Sequence, residues 1–137
     1  MERVIFLCVH NSARSQMAEG LARARCGDRY QAFSAGSEAT SLHPLAVRAM
    51  AELDIDIAGQ RSKRLDELAG ERFDVAVTVC EEGRESCPIV PGAPRALHWD
   101  IADAAAASSS EEERLQAFRA ARDEIAARLE ETLGRQP

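Results

Sequence analysis

The stretch Val4-Ile5-Phe6-Leu7-Cys8-Val9-His10-Asn11-Ser12-Ala13-Arg14-Ser15-Gln16-Met17-Ala18-Glu19-Gly20 decides how the rest of the chain is read. It opens on a short, continuous apolar run, the pattern of a strand buried on both faces of a parallel sheet. From Arg14 to Arg25, Met17, Ala18, Leu21 and Ala22 recur at helical spacing. A polar loop joins the two. A loop ending at a helix N-terminus presents unpaired backbone N–H groups and the positive end of the helix dipole, so it favours a tetrahedral anion. Val9, His10, Asn11, Ser12, Ala13, Arg14 and Ser15 are therefore the expected oxyanion cradle. Cys8 starts the loop, where its thiolate form is favoured. Arg14 offers a planar fork to two oxygens of one anion, and Ser15 offers a hydroxyl to the sulfur. These groups make a nucleophile aimed at an oxyanion. A Cys-x5-Arg spacing alone recurs by chance; its place directly after a strand gives it meaning.

Outward from this stretch the chain alternates. Phe73 to Cys80 is a second continuous apolar run, and Tyr30 to Ala35 (ending at Gly36) and Arg95 to Trp99 are weaker strand candidates. His43 to Leu53 reads as a helix, with Pro44 suited to the first helical position. Ser110 to Leu133 is the longest predicted helix, with Ser110 and Glu113 as a capping box and Gly134 after its end. Leu115, Phe118, Ile125, Leu129 and Leu133 form its apolar stripe. The Glu111-Glu112-Glu113 run suits the positive end of that helix and needs no functional explanation. Alternating strands and helices predict βαβ units and a parallel sheet covered on both faces. Ala104 to Ser110 reads as a linker or lid. There is no internal repeat.

The 137 residues fit one domain, 1–137, with 45% hydrophobic and 29% charged residues in the balance of a soluble globular chain. Seventeen basic against 23 acidic residues give a formal charge of −6, which argues against nucleic acid as a partner. No apolar stretch reaches the length of a membrane span, and Val4 to Val9 is too short for a signal-peptide core. A cytoplasmic location is expected. Four cysteines in such a setting point to reactive thiols or a metal site rather than a disulfide framework.

Cys80 ends the second strong strand, and Cys87 follows in Cys80-Glu81-Glu82-Gly83-Arg84-Glu85-Ser86-Cys87-Pro88. All strands of a parallel sheet end on one edge, where sites are built. Cys8 and Cys80 therefore emerge together, and the strand ending near Trp99 brings Asp100 and Asp103 to the same edge. Cys80 and Cys87 as small buried hydrophobes is the plainer reading, but the charged segment around Cys87 cannot be core. A zinc site ranks low because no Cys-x-x-Cys pair is present. Cys26 has no partner suggested by pattern and reads as a structural or surface thiol.

The pattern Cys8-x5-Arg14-Ser15 resembles the signature of the low-molecular-weight protein tyrosine phosphatases and of the arsenate reductases that share their fold. Ser15-Gln16-Met17-Ala18-Glu19-Gly20 is more similar to the reductases. Thr78-Val79-Cys80 and Cys87-Pro88 resemble the redox cysteines of the thioredoxin-coupled ones. The resemblance covers essentially the whole chain. It implies an α/β three-layer sandwich with a central four-stranded parallel sheet flanked by helices, and reduction of arsenate to arsenite. In that family Cys8 attacks arsenic and Cys80 attacks Cys8, releasing arsenite. Cys87 then attacks Cys80, and the Cys80–Cys87 disulfide passes to an external thiol reductant. Loop 81–86, with Gly83, must rearrange for this.

The same resemblance implies Asp103 as general acid, spaced from His98-Trp99 as in the family but followed by Ala104 where the family carries proline; Asp100 competes for the role. Asn11, Glu19 and Ser34 match positions that support the loop around a bound potassium ion in some relatives. Lys63 stands where those relatives carry an acidic ligand, so its ammonium is expected to replace the cation. The implied partners are arsenate, arsenite and thioredoxin, with a monomeric chain and no bound cofactor or metal; mycothiol- or glutaredoxin-coupled relatives share the loop. Two rivals stand beside this reading. A phosphatase acting on phosphomonoesters or phosphotyrosine would use Cys8, Arg14 and Asp103 and leave the other thiols idle. A non-catalytic oxyanion- or zinc-binding regulator would turn nothing over.

Overall fold

In the computed structural model, residues 1–81, 87–106 and 110–134 are described. The N-terminal apolar run forms β1 (Glu2–Cys8), with everything from Val4 onward buried. Alternate residues of a strand face opposite ways, and β1 divides its side chains accordingly. Val4, Phe6 and Cys8 enter a large cluster with the helices, while Ile5 and Leu7 enter a second one on the other face. The loop after β1 leads into α1 (Arg14–Cys26), followed by β2 (Tyr30–Gly36), α2 (Pro44–Ala51), β3 (Val75–Thr78), β4 (Arg95–His98) and α3 (Glu111–Thr132).

The four strands are all parallel, in the order β2-β1-β3-β4. Helices α1, α2 and α3 cover one face, α3 docking through Leu115, Phe118, Ile125 and Leu129. The layer on the other face is thin. A 3₁₀ turn (Leu65–Leu68) and partly buried Val90 and Ala93 pack there against Ile5, Leu7, Ala35, Phe73 and Ala76. Phe33 and Phe73 meet edge-on in this layer, with the Arg3 guanidinium 4.6 Å from the Phe33 ring centre.

The long helix begins where its cap predicts. Ser110 Oγ accepts from the Glu113 N–H at 3.2 Å, as an N-cap hydroxyl should. The strand expected over 73–80 is shorter, because Phe73 lies in the second cluster before β3 begins and Val79 continues only as one backbone bond to the Leu7 carbonyl. Ala104–Ala106 forms a 3₁₀ turn rather than an open linker, and 107–109 lie outside the described residues.

Candidate active site

The strand order reverses direction at β1: the chain goes from β1 out to β2 on one side, then returns to β3 on the other. Such a reversal leaves a crevice at the C-terminal ends of the two strands flanking it. Cys8 ends β1 and Cys80 lies two residues past β3, so topology places both thiols at this crevice. Each is 2% exposed.

The loop from Val9 to Ala13 is held by its carbonyls. Val9 O accepts from the Glu38 N–H at 2.9 Å, His10 O from Ser62 Oγ at 3.1 Å, Asn11 O from Gln16 Nε2 at 3.0 Å, and Ser12 O from the His43 N–H at 2.9 Å. Because a trans peptide sets its N–H opposite its carbonyl, outward carbonyls turn the following N–H groups toward the inside of the loop. Asn11 adopts the left-handed conformation, φ 50°, that closes the curve. Helix α1 starts at Arg14 without a side-chain cap, leaving its first N–H groups for a ligand. Gly36, opposite Cys8 on β2, makes the close approach possible. A Cβ there would stand 2.6 Å from Val9 O and 2.9 Å from both Asn11 N and Cys8 O.

Cys8 Sγ lies 2.8 Å from Ser15 Oγ, and Asn11 Nδ2 donates to that oxygen at 2.8 Å. Arg14 is buried; its Nη1 donates to Ile101 O at 3.0 Å, and its Nη2 stands 3.8 Å from Asp103 Oδ2. Asp103 is therefore a carboxylate of the loop's own arginine, and it is partly exposed. Asp100 is exposed and lines a cleft of about 480 Å³ with Glu81, Asp103 and Glu124.

Cys80 and Cys87 are joined as a disulfide with Cα atoms 6.1 Å apart, within the usual span of such bridges. Both sulfurs flank the carbonyl of Leu7, at 3.9 Å and 3.4 Å, immediately before Cys8. Three of the four thiol positions thus converge on one peptide unit. Cys26 is buried at the end of α1, and burial pushes its thiol pKa up. Gly83 and the rest of 82–86 lie outside the described residues.

Beneath the loop runs a buried polar network. Gln16 is fully buried, donates to Asn11 O, Asn11 Oδ1 and Arg61 O at 3.0 Å each, and accepts from Gln60 Nε2 at 2.8 Å. Glu19 accepts from Ser34 Oγ at 2.5 Å and from Arg23, while Lys63 Nζ lies 3.9 Å from Glu19 Oε1 and donates to Arg61 O at 3.1 Å. Burial pushes the Lys63 ammonium pKa down, and the Glu19 carboxylate acts against that shift. The backbone N–H of Lys63 also donates to Asn11 Oδ1 at 2.9 Å.

Of the residues the sequence singles out, Cys8, Asn11, Arg14, Ser15 and Asp103 come together, and Cys80 and Cys87 lie beside them. His10 projects outward, 3.3 Å from Glu38. The sequence hides the role of Gln16, and it shows His43 only as a packing or surface residue. Gln16 resembles a surface position of an amphipathic helix, yet α1 is buried on almost every side over its first half. His43 caps α2, its Nδ1 accepting from the Leu45 N–H at 3.1 Å, and stacks on Phe118 with ring centres 4.6 Å apart. Burial and the nearby Arg114 push its pKa down. Its place directly before Pro44 was the available signal, since the residue before an N1 proline is the cap. No group of three or more metal-ligating side chains placed to hold an ion occurs among the described residues.

Residues 3–136 match the family model described as low molecular weight phosphotyrosine protein phosphatase. An arsenate reductase of Bacillus subtilis (strain 168) is 44% identical over 128 residues, covering 93% of this chain and 92% of the relative. The crystal structure of an arsenate reductase from Archaeoglobus fulgidus is 32% identical, with a TM-score of 0.80 over 96% of this chain and 99% of that one. A thioredoxin-dependent arsenate reductase of Corynebacterium glutamicum is 27% identical, with a TM-score of 0.62 over 96% of this chain and 63% of that one. With an anion loop built on a cysteine, and two further thiols bonded to each other at the same crevice, this chain belongs to the low molecular weight phosphotyrosine protein phosphatase family and, within it, to the arsenate reductases.

Proposed function

We propose that this protein reduces arsenate to arsenite through a relay of Cys8, Cys80 and Cys87, with a thioredoxin-type dithiol as the external reductant. The observation that carries the reading is the Cys80–Cys87 disulfide flanking the Leu7 carbonyl beside Cys8. A phosphatase needs the loop thiol alone, and nothing in its chemistry calls for a second redox pair at the same strand ends.

The arsenate dianion sits in the loop against the inward N–H groups and the Arg14 fork. Cys8 attacks arsenic, and Asp103 protonates the departing oxygen, leaving a covalent thiol–arsenic adduct. Ser15 supports the sulfur as the bond forms. Cys80 attacks Cys8 Sγ; the sulfur–arsenic bond breaks, its electron pair stays with arsenic, and arsenite leaves. The two electrons gained by arsenic come from the pair of thiols, now a Cys8–Cys80 disulfide. Cys87 attacks Cys80, frees Cys8, and leaves the disulfide seen here for reduction from outside. Lys63 supplies the positive charge under the loop, next to Glu19. The chain acts as a monomer in the cytoplasm and holds no resident metal.

Cys87→Ser tests the relay. The variant should complete one turnover and stop with Cys8 linked to Cys80, because no thiol remains to carry the oxidation outward. Mass spectrometry with peptide mapping after arsenate addition reads the cross-link. Sustained thioredoxin-driven turnover by that variant would remove Cys87 from the relay. In the phosphatase alternative, p-nitrophenyl phosphate turnover would be the main activity and would not respond to loss of Cys80.

A further inference from the structure

We propose that Ile89 is the apolar contact on which a thioredoxin-type dithiol protein seats itself to reduce the Cys80–Cys87 disulfide. The inference rests on reading that disulfide as the oxidised end of the relay. Two large apolar side chains stand in solvent among the described residues: Met1, at the chain end, and Ile89, which is 79% exposed. A single exposed isoleucine ordinarily needs no explanation. This one lies two residues after Cys87, on a segment whose shape is held firmly.

Pro88, Pro91 and Pro94 fix φ at three positions of 87–94. Before Ile89 the backbone is anchored by Cys87, bonded to Cys80 and packed on the large cluster; after it, Val90 and Ala93 pack inward on the cluster of Ile5, Leu7 and Phe73. Ile89 is therefore presented rather than loose. Covering it costs a partner little ordering of this segment.

The chemistry says what covers it. A thiolate attacks a disulfide along the sulfur–sulfur axis, from the side opposite the leaving sulfur. Cys80 is buried, whereas Cys87 is partly exposed, so the incoming thiolate reaches Cys87. The sulfur–sulfur bond breaks, Cys80 departs as a thiolate and takes up a proton, and Cys87 is bonded to the partner. The partner's second thiol then attacks its own bonded sulfur, releasing Cys87 and leaving the partner oxidised by two electrons. While the mixed disulfide lasts, the surface around the partner's cysteine must lie on the residues flanking Cys87, and Pro88 and Ile89 are the next two. A partner with an apolar rim around its thiol pair gains contact there; a small dithiol does not.

The test uses the oxidised full-length protein and needs no arsenate, so it stands apart from the arsenate reading. Reduction of the Cys80–Cys87 disulfide is followed under single-turnover conditions with reduced thioredoxin and, separately, with dithiothreitol. For Ile89→Asp the second-order rate constant with thioredoxin should fall about tenfold. Ile89→Leu should keep it, and dithiothreitol should reduce all three proteins at one rate. An unchanged thioredoxin rate in Ile89→Asp overturns the proposal. So does an equal fall with both reductants, which would place Ile89 in the support of the disulfide itself. Concentration-dependent dimerisation lost in Ile89→Asp, with the thioredoxin rate kept, would assign the side chain to a second copy of the chain and also overturn it. If thioredoxin discriminates as expected but wild-type protein yields no arsenite with any reductant, the docking contact stands and the arsenate reading fails.

Discussion

Ser15 Oγ stands 2.8 Å from Cys8 Sγ and also accepts from Asn11 Nδ2 at 2.8 Å. A thiolate sulfur has no proton to give, so when Cys8 acts as nucleophile the serine is the donor and the sulfur the acceptor. A hydrogen bond to a charged group is worth about 1.5–3 kcal/mol. Ser15→Ala should accordingly lower kcat/KM for arsenate roughly 10- to 100-fold without unfolding the protein. Steady-state kinetics with a circular dichroism control decide it, and a loss under threefold would mean that the hydroxyl gives the sulfur no useful support.

Arg14→Lys should reduce arsenate turnover far more than its conserved charge suggests. The guanidinium reaches Ile101 O with one nitrogen and stands near Asp103 with another, and in the proposed mechanism the same fork meets two oxygens of arsenate. An ammonium is a point charge and cannot do both. The expected fall in kcat/KM is roughly 100- to 1,000-fold, the range for loss of a preorganised oxyanion donor. Near-normal kinetics would remove Arg14 from substrate binding.

Gly36→Ala should loosen the loop from behind. The added methyl group would meet backbone atoms of Val9, Asn11 and Cys8, none of which is the flexible end of a side chain. Overpacking of this kind costs about 1–3 kcal/mol. A lower Tm together with a raised KM for arsenate is expected; an unchanged melting curve would show that β1 and β2 can separate without penalty.

Lys63 makes a prediction about salt. Its ammonium lies beside Glu19 under the loop, so wild-type rates should be the same in potassium and sodium chloride at matched ionic strength. In Lys63→Ser the rate should fall and recover in part with potassium specifically. A wild-type enzyme stimulated by potassium would show that the ammonium does not fill this role.

Glu52 should shape the acid limb of the stability curve. Hydrogen bonds from Arg119 and Arg122 hold its carboxyl at about 2, below an unfolded value of about 4.3. A depressed carboxylate contributes stability above the unfolded value and loses it as pH falls through the folded one. Urea midpoints should therefore decline more steeply between about pH 4.3 and 2 in wild type than in Glu52→Gln. Because Glu52 itself is exposed, the difference should shrink in high salt. Parallel curves at low salt would count against the ion pairs.

The parts of this fold that rest on local rules were legible in the chain. α3 declared itself through Ser110, the acidic first turn and a regular apolar stripe, and the anion loop did so through its place between a buried run and a helix. β4 was faint because it is an edge strand, with Arg95, Ala96 and His98 exposed, so it carries no continuous apolar run. The role of Gly36 depends on its register against Cys8, and that of Lys63 on a segment folding back beneath the loop. Neither is written in local spacing. Gln16 was hidden for a related reason: a polar residue buried on a helix shows its partners only once Asn11, Gln60 and Arg61 have been brought to it.

The bond from Arg14 to the Ile101 carbonyl makes one guanidinium common to two equilibria. In the proposed mechanism it serves the anion cradle, and it also restrains the segment that carries Asp103. If occupancy of the cradle shifts that restraint, thermodynamic reciprocity requires the reverse by the same factor. A substitution that frees 101–103 must then change the affinity for phosphate or sulfate as well as for arsenate, even where it touches none of them. Inorganic anions in the assay buffer would then act on the posture of the segment that carries Asp103, and rates measured in phosphate and in a non-coordinating buffer would describe different positions of that carboxylate.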